Sequence, residues 1–145
     1  MYPILPSTHK ISEDDFGWLD DLIRFQYLIS LNLADNDLKT FPNVICHLPR
    51  LSELNLASNH IDSIPSDIAK LQSLEILNLQ SNRLSSLPNE IEYLKRLRDF
   101  YLSFNLFKDI PMPLARLTNI RCSDVNNLCL AGNNIRKLSI EVFQQ

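Results

Sequence analysis

Apolar and polar positions along this chain fall into a unit that repeats. Its clearest spellings are LISLNLADN, LSELNLASN, LEILNLQSN and LRDFYLSFN, with a fifth, VNNLCLAGN, displaced further along. The first four place Asn36, Asn59, Asn82 and Asn105 at intervals of 23 residues, each closing the frame Leu-x-x-[Leu/Phe]-x-Leu-x-x-Asn. The second and third apolar positions of each frame are separated by one residue, the period of a strand with one buried face. A fixed period of this length predicts stacked coils, a solenoid in which each unit covers its neighbour.

The other half of each unit carries a second apolar set. It reads Leu38, Phe41, Ile45, Leu48, then Ile61, Ile64, Ile68, Leu71, then Leu84, Leu87, Ile91, Leu94, then Phe107, Ile110, Leu114, Leu117. Pro42, Pro65, Pro88 and Pro111 follow the second member of each set. A proline there fixes φ and needs no ladder partner, so it starts a turn or a short helical return. The recurring Asn is expected to face inward, donating to and accepting from backbone groups of adjacent turns, which leucine could not do.

The chain divides into three parts. Residues 1–12 read as a loose leader, interrupted by Pro3 and Pro6. Residues 13–27 open with Glu13, Asp14 and Asp15, where acidic side chains favour a helix N-terminus. Phe16, Leu19, Leu22, Ile23 and Phe25 then recur at helical spacing, predicting a cap helix whose apolar stripe covers the first coil. Residues 28–145 hold five units. In the fifth, Asn133 comes 28 residues after Asn105, and removing Ser123–Asn127 (SDVNN) restores the 23-residue interval. A five-residue insertion before or within the fifth strand is the expectation. The chain reaches Gln145 where the other units carry the leucine of the return, which predicts an open end with exposed apolar surface, and self-association through it.

These residues carry a resemblance to the leucine-rich repeat family from Leu28 to the end of the chain. The Leu-Pro-x-x-Ile-x-x-Leu spelling of the returns resembles the intracellular 23-residue class, as in scribble-like polarity scaffolds and Ras-binding leucine-rich scaffold proteins. The resemblance implies an α/β leucine-rich repeat solenoid, right-handed, with a parallel concave sheet, short helical or irregular convex returns and an N-terminal helical cap. It also implies protein–protein binding through the concave face, in an intracellular signalling or scaffold assembly. The alternative is a regulatory or targeting fragment of a larger leucine-rich repeat enzyme (a phosphatase, kinase or ubiquitin ligase).

Composition narrows this picture. A net charge of −3 over 145 residues argues against nucleic acid or an anionic membrane as the partner. No apolar run reaches the roughly 18–20 residues that span a bilayer. The first residues lack a basic start and an apolar core, so no secretory signal is expected. Three cysteines, Cys46, Cys122 and Cys129, cannot all pair, and no Asn-x-Ser/Thr sequon occurs. Together these point to a reducing, cytoplasmic setting.

Candidate chemistry is sparse. His9, His47 and His60 are scattered, Cys46 and His47 are adjacent and so point apart on a short return, and the two glycines, Gly17 and Gly132, form no phosphate loop. Cys122 and Cys129 flank the insertion as ordinary intracellular thiols. Asp14, Asp15, Asp20 and Asp21 read most simply as the solvated face of the cap helix. No nucleophile with its base, no metal site and no cofactor site is expected, and the chain is not expected to be an enzyme.

The remaining signal lies in strand positions that are not leucine. Parallel strands stack about 4.8 Å apart, so equivalent positions form columns. One column reads Asn32, Asn55, Asn78, Tyr101, Cys129, and another Ser30, Glu53, Ile76, Asp99, with Asn127 placed only if the insertion allows. The residues before the recurring Asn are Asp35, Ser58, Ser81, Phe104 and Gly132. Tyr101 and Phe104 break a small, polar habit. Exposed aromatics beside charges have the composition of interface hot spots, although Phe104 could instead pack against the adjacent turn. The predicted partner-binding set is therefore Glu53, Asn55, Ile76, Asn78, Arg98, Asp99, Tyr101 and Phe104. Glu53, Glu75, Asp35 and Asp99 against Arg98 leave this face acidic, suited to a protein partner with a basic surface.

Overall fold

The computed structural model describes residues 17, 21, 24–120 and 130–136. The leader over 1–12, most of the expected cap helix over 13–27, the SDVNN segment, Cys122, Cys129 and Asn127 lie outside the described residues, as do Asp14, Asp15 and Asp20. Gly17, Asp21 and Arg24 have 3-10 conformation, and Arg24 Nε lies 3.6 Å from the Asp21 carboxylate.

Four strands, β1 (Ser30–Asn32), β2 (Glu53–Asn55), β3 (Ile76–Asn78) and β4 (Asp99–Tyr101), form one parallel sheet in sequential order. Their register is that of the repeat, aligning Leu31, Leu54, Leu77 and Phe100 in one inward row. Each strand is only three residues long. Past the strands the amides of Leu33, Leu56 and Leu79 still donate to the carbonyls of Asn55, Asn78 and Tyr101 in the next coil, while Asn32, Asn55 and Asn78 Oδ1 accept the amides of Ala34, Ala57 and Gln80 at 3.0–3.1 Å.

The returns are 3-10 helices of five residues each, Asn43–His47, Ser66–Lys70, Asn89–Tyr93 and Met112–Arg116. Pro42, Pro65, Pro88 and Pro111 stand at their N-caps with φ between −73° and −61°, and each proline carbonyl accepts the amide three residues on. These helices are too short to bury a face of their own, so their stability comes from packing. The packed residues are Ile45, Ile68 and Ile91, fully buried against the strand leucines in one continuous core. On the convex side Lys70 Nζ donates to Asp67 at 2.7 Å, and that bond holds the Asp67 carboxyl below the usual carboxylate range.

The coils are bolted together by the recurring asparagines. Asn59 Nδ2 donates to Leu33 O of the preceding coil and to Leu56 O of its own, while its Oδ1 accepts Leu38 N from the preceding coil. Asn82 makes the same set with Leu56 O, Leu79 O and Ile61 N, and Asn105 with Leu79 O, Leu102 O and Leu84 N. All three side chains are buried. Asn133 repeats the pattern with Leu102 O, Leu130 O and Phe107 N. Its two bonds to the preceding coil span 31 and 26 residues, where those of Asn105 span 26 and 21. The difference is five residues in both, the length of SDVNN, and the ladder closes around it.

The core loosens at both ends of the described array. Leu28 and Leu31 are partly buried, as are Leu114, Leu117 and Ile120, whose counterparts Ile91, Leu94 and Leu97 one coil earlier are fully buried.

Cys46 lies inside, 2% exposed and free. Burial pushes its thiol up to about 12, with the Asp67 carboxylate adding to the rise and Lys70 opposing it. The folded state thus keeps a proton that the unfolded thiol releases near pH ~8.5. The stabilising contribution is complete below that pH and is lost as the pH rises towards 12. Iodoacetamide should therefore label Cys46 far more slowly in the native protein than in urea, and between pH 8.5 and 9.5 the native rate should still be climbing about tenfold per pH unit while the rate in urea levels off near the unfolded thiol's ~8.5. Peptide mapping of Cys46 checks this; a native rate that levels off near pH ~8.5 as the unfolded one does would contradict it.

Candidate partner-binding surface

With the leucines turned inward, the alternate residues of the strands form the concave face. Two columns cross it in register, Ser30–Glu53–Ile76–Asp99 and Asn32–Asn55–Asn78–Tyr101. Between them runs a shallow trough of about 260 Å³, walled by Ser30, Asn32, Glu53, Asn55, Ile76, Asn78 and Tyr101. Ser30 Oγ donates to Glu53 Oε2 at 3.2 Å, fixing the carboxylate across the first two strands. The asparagine column already spends its carbonyl oxygens on the strand ends, so what it offers outward is amide N–H. Tyr101 has no such oxygen to give Ser103, and its ring, 41% exposed, closes the end of the trough.

The eight predicted residues do not form one cluster. Glu53, Asn55, Ile76, Asn78 and Tyr101 share the trough. Asp99 lies on β4 in register with Ile76. Arg98 sits at the edge where the strands begin, with its Nη2 on Glu75 Oε2 at 2.8 Å, and it lines a separate depression with Lys95 and Arg96. Glu75 and Arg98 neutralise each other there, so Glu75 adds little to the acidity of the trough.

Phe104 lies at the opposite edge, where the strands end. Asp35, Ser58, Ser81 and Phe104 all have φ of 55–58°, and Gly132 has φ 71°. This left-handed step turns the chain so that the following Asn folds back to its own coil. Short polar residues tolerate it, but a bulky one is strained by about 1–2 kcal/mol. The Phe104 ring packs over Gly132, where a side chain would leave it no room: a methyl added at Gly132 would meet ring Cε1 at 2.7 Å and Cγ at 3.0 Å, with Cδ1 nearer still. The ring remains 58% exposed on its other side. The sequence held a cue to this step, since Asp, Ser and Gly fill four of the five places; a mixed polar column did not by itself distinguish a strand face from a turn.

A profile described as "Leucine rich repeat" matches residues 20–61 and 49–107, more than half of the chain. The chain belongs to the leucine-rich repeat family. Among solved structures it is similar to a leucine-rich repeat protein of Leptospira interrogans, with 32% identity and a TM-score of 0.77 over 85% of this chain and 30% of that one. It is also similar to the ectodomain of the plant membrane receptor kinase GASSHO1/SCHENGEN3 from Arabidopsis thaliana, in complex with CASPARIAN STRIP INTEGRITY FACTOR 2. There the identity is 30% and the TM-score 0.66, over 80% of this chain and 14% of that one. A third likeness is to a chain of the Arabidopsis thaliana BIR3–SERK2 complex, at 36% identity and a TM-score of 0.64, covering 79% of this chain and 60% of that one. A search of curated proteins finds no match. The chain thus spans less than two thirds of the length of each of these three structures.

Leucine-rich repeat proteins are commonly interaction modules, and their repeat frame leaves the outward strand residues free to vary. In this chain that freedom is used unevenly. β1 and β2 present small polar residues and one carboxylate, whereas β3 and β4 present Ile76 and Tyr101. No helix among the described residues is long and apolar enough to cross a membrane, and no group of three metal-ligating side chains occurs among them.

The Phe104–Gly132 pair gives a double-mutant test. Gly132→Ala meets both the ring and the positive φ, and should lower the unfolding free energy by roughly 2–3 kcal/mol. Placed on Phe104→Ser, a residue that positions 58 and 81 already carry in this conformation, the same change should cost only the φ part, about 1 kcal/mol. Urea denaturation of the four proteins measures the difference; equal costs in both backgrounds would show that the ring does not rest on Gly132.

Proposed function

We propose that this chain is a protein-binding module whose concave trough takes a segment of a partner protein bearing basic residues. The observation that carries this reading is the charge of the concave face. The eight outward residues of β1–β4 include two carboxylates, Glu53 and Asp99, and no cation, and the carboxylates flank Ile76 in one column. Two strand spacings separate them, about 9.6 Å. A partner that lays an apolar group on Ile76 and Tyr101 and a cation toward each carboxylate would match this face in shape and sign. Electrostatic complementarity of this kind speeds encounter and rejects acidic competitors.

The setting we propose is a cytoplasmic signalling or scaffold assembly, in which the chain binds and does not catalyse. The free, buried Cys46 and the absence of a sequon in the sequence support the compartment. The second reading, a regulatory or targeting part of a larger leucine-rich repeat enzyme, is favoured by the greater length of the similar structures, one of which belongs to a receptor kinase. Self-association through the loosened end of the array is part of the proposal, because Leu114, Leu117 and Ile120 are only partly buried. Sedimentation velocity over a hundredfold range of concentration should show a rising mass; a monomer throughout would remove that element.

Substituting Ile76→Ser together with Tyr101→Ser should weaken capture of a partner by about 2 kcal/mol or more, some thirtyfold, as loss of central apolar anchors does. Both side chains are at least partly exposed, so the melting temperature should move little. Affinity of the unaltered protein should fall as salt is raised. Binding that survives the double substitution, or that is indifferent to salt, would place the partner elsewhere.

A further inference from the structure

The edge of the sheet where the strands begin carries a charge opposite to that of the concave face. Lys95 and Arg96 form the tight turn before β4, and Arg98 follows at its start. With Glu75 from the coil before and Asn119 from the turn after, they wall an open trough of about 460 Å³. The clustering is particular to this unit, since the corresponding turns read Pro49-Arg50, Gln72-Ser73 and Thr118-Asn119. Asn119 Nδ2 donates to Lys95 O at 2.7 Å and so pins the turn that carries the cations.

Arg98 is incompletely used where it stands. One nitrogen, Nη2, meets Glu75, while Nε is shielded from solvent and has no hydrogen-bond partner. A guanidinium recognises a carboxylate or phosphate best through two parallel N–H···O bonds, and here it makes one. Turned off Glu75 toward the trough, it would present Nε and an Nη to two oxygens of one group. Three cations against one carboxylate leave two positive charges, and a phosphate monoester carries about −1.5 to −2 near pH 7. A single carboxylate would leave one of them unmatched.

We propose that this edge trough is a binding site for a phosphate monoester carried on a segment of a protein partner. The trough is open toward the turns and does not enclose a free ion, which suits a group delivered on a chain. The site does not rest on the concave-face reading and can be tested apart from it.

The test is an NMR titration of the 15N-labelled protein at constant ionic strength. The probes are a short glycine-rich peptide with one phosphoserine, the same peptide unphosphorylated, and inorganic phosphate. The phosphopeptide should shift the amides of Lys95, Arg96, Arg98, Asp99 and Asn119 saturably, at least tenfold more tightly than inorganic phosphate, and the unphosphorylated peptide should shift none of them. Lys95→Ala with Arg96→Ala should abolish the response, and Glu75→Gln, which frees Arg98, should strengthen it severalfold. Circular dichroism verifies that each variant is folded, and Glu75→Gln keeps the test decisive if the double variant is not. Shifts spread equally over Lys39, Arg50 and Arg83, inorganic phosphate binding as tightly as the peptide, or weaker binding by Glu75→Gln would each overturn the proposal.

Discussion

Everything in this structure depends on one buried amide that serves two coils at once. The side chain of Asn59, Asn82 or Asn105 gives its N–H groups to carbonyls of its own and the preceding coil and takes an amide from the preceding coil with its oxygen. Stacking coils of irregular backbone would otherwise bury many unpaired polar groups, each costing about 1–3 kcal/mol. The leucine rows supply the larger burial energy, but they are interchangeable with phenylalanine, as Phe100 and Phe107 show. No apolar residue could substitute for the asparagine, since only a side-chain amide both donates and accepts at that distance from the backbone.

That bond also dictates what the concave face can offer. Folding the asparagine back requires the residue before it to adopt a left-handed conformation, and the strands β1–β3 end at their outward asparagines, whose side chains take the amide two residues on. The face is therefore narrow, three residues per strand, with its polar column partly consumed by the scaffold. What is left for recognition is the carboxylates, the outward amide N–H groups, Ile76 and Tyr101. Phe104 belongs to the rim, where its ring joins the fourth unit to Gly132 of the fifth across the inserted segment.

The fold was largely legible in the sequence because period, strand alternation, proline position and asparagine chemistry all report the same backbone constraint. Register followed directly, since a 23-residue interval leaves one way to align the leucines. The short helical returns expected after the prolines are 3-10 helices, a helix type that apolar spacing over five residues does not specify. The candidate surface was only partly legible. Columns on one sheet, such as Ile76 and Tyr101, follow from the period, but the separation of Arg98 from that sheet depends on its bond to Glu75 one coil away. The cationic edge is not legible in the sequence for the same reason, because only the fold brings Lys95 and Arg96 beside Arg98 and Asn119. The positive φ at Phe104 is likewise a three-dimensional fact, visible in sequence only as a misfit in a column of turn residues.

The most direct test of the asparagine ladder is urea unfolding of Asn82→Asp, a change that keeps shape and acceptor but replaces the donating amide with a carboxylate facing Leu56 O, Leu79 O and Gln80 O. Loss of the donor and burial of a charge against carbonyls should cost at least about 3 kcal/mol, with the hydrogen-exchange protection of the Ile61 amide falling in step. A cost below about 1 kcal/mol, with Ile61 still protected, would contradict the claim that these side chains hold the coils together.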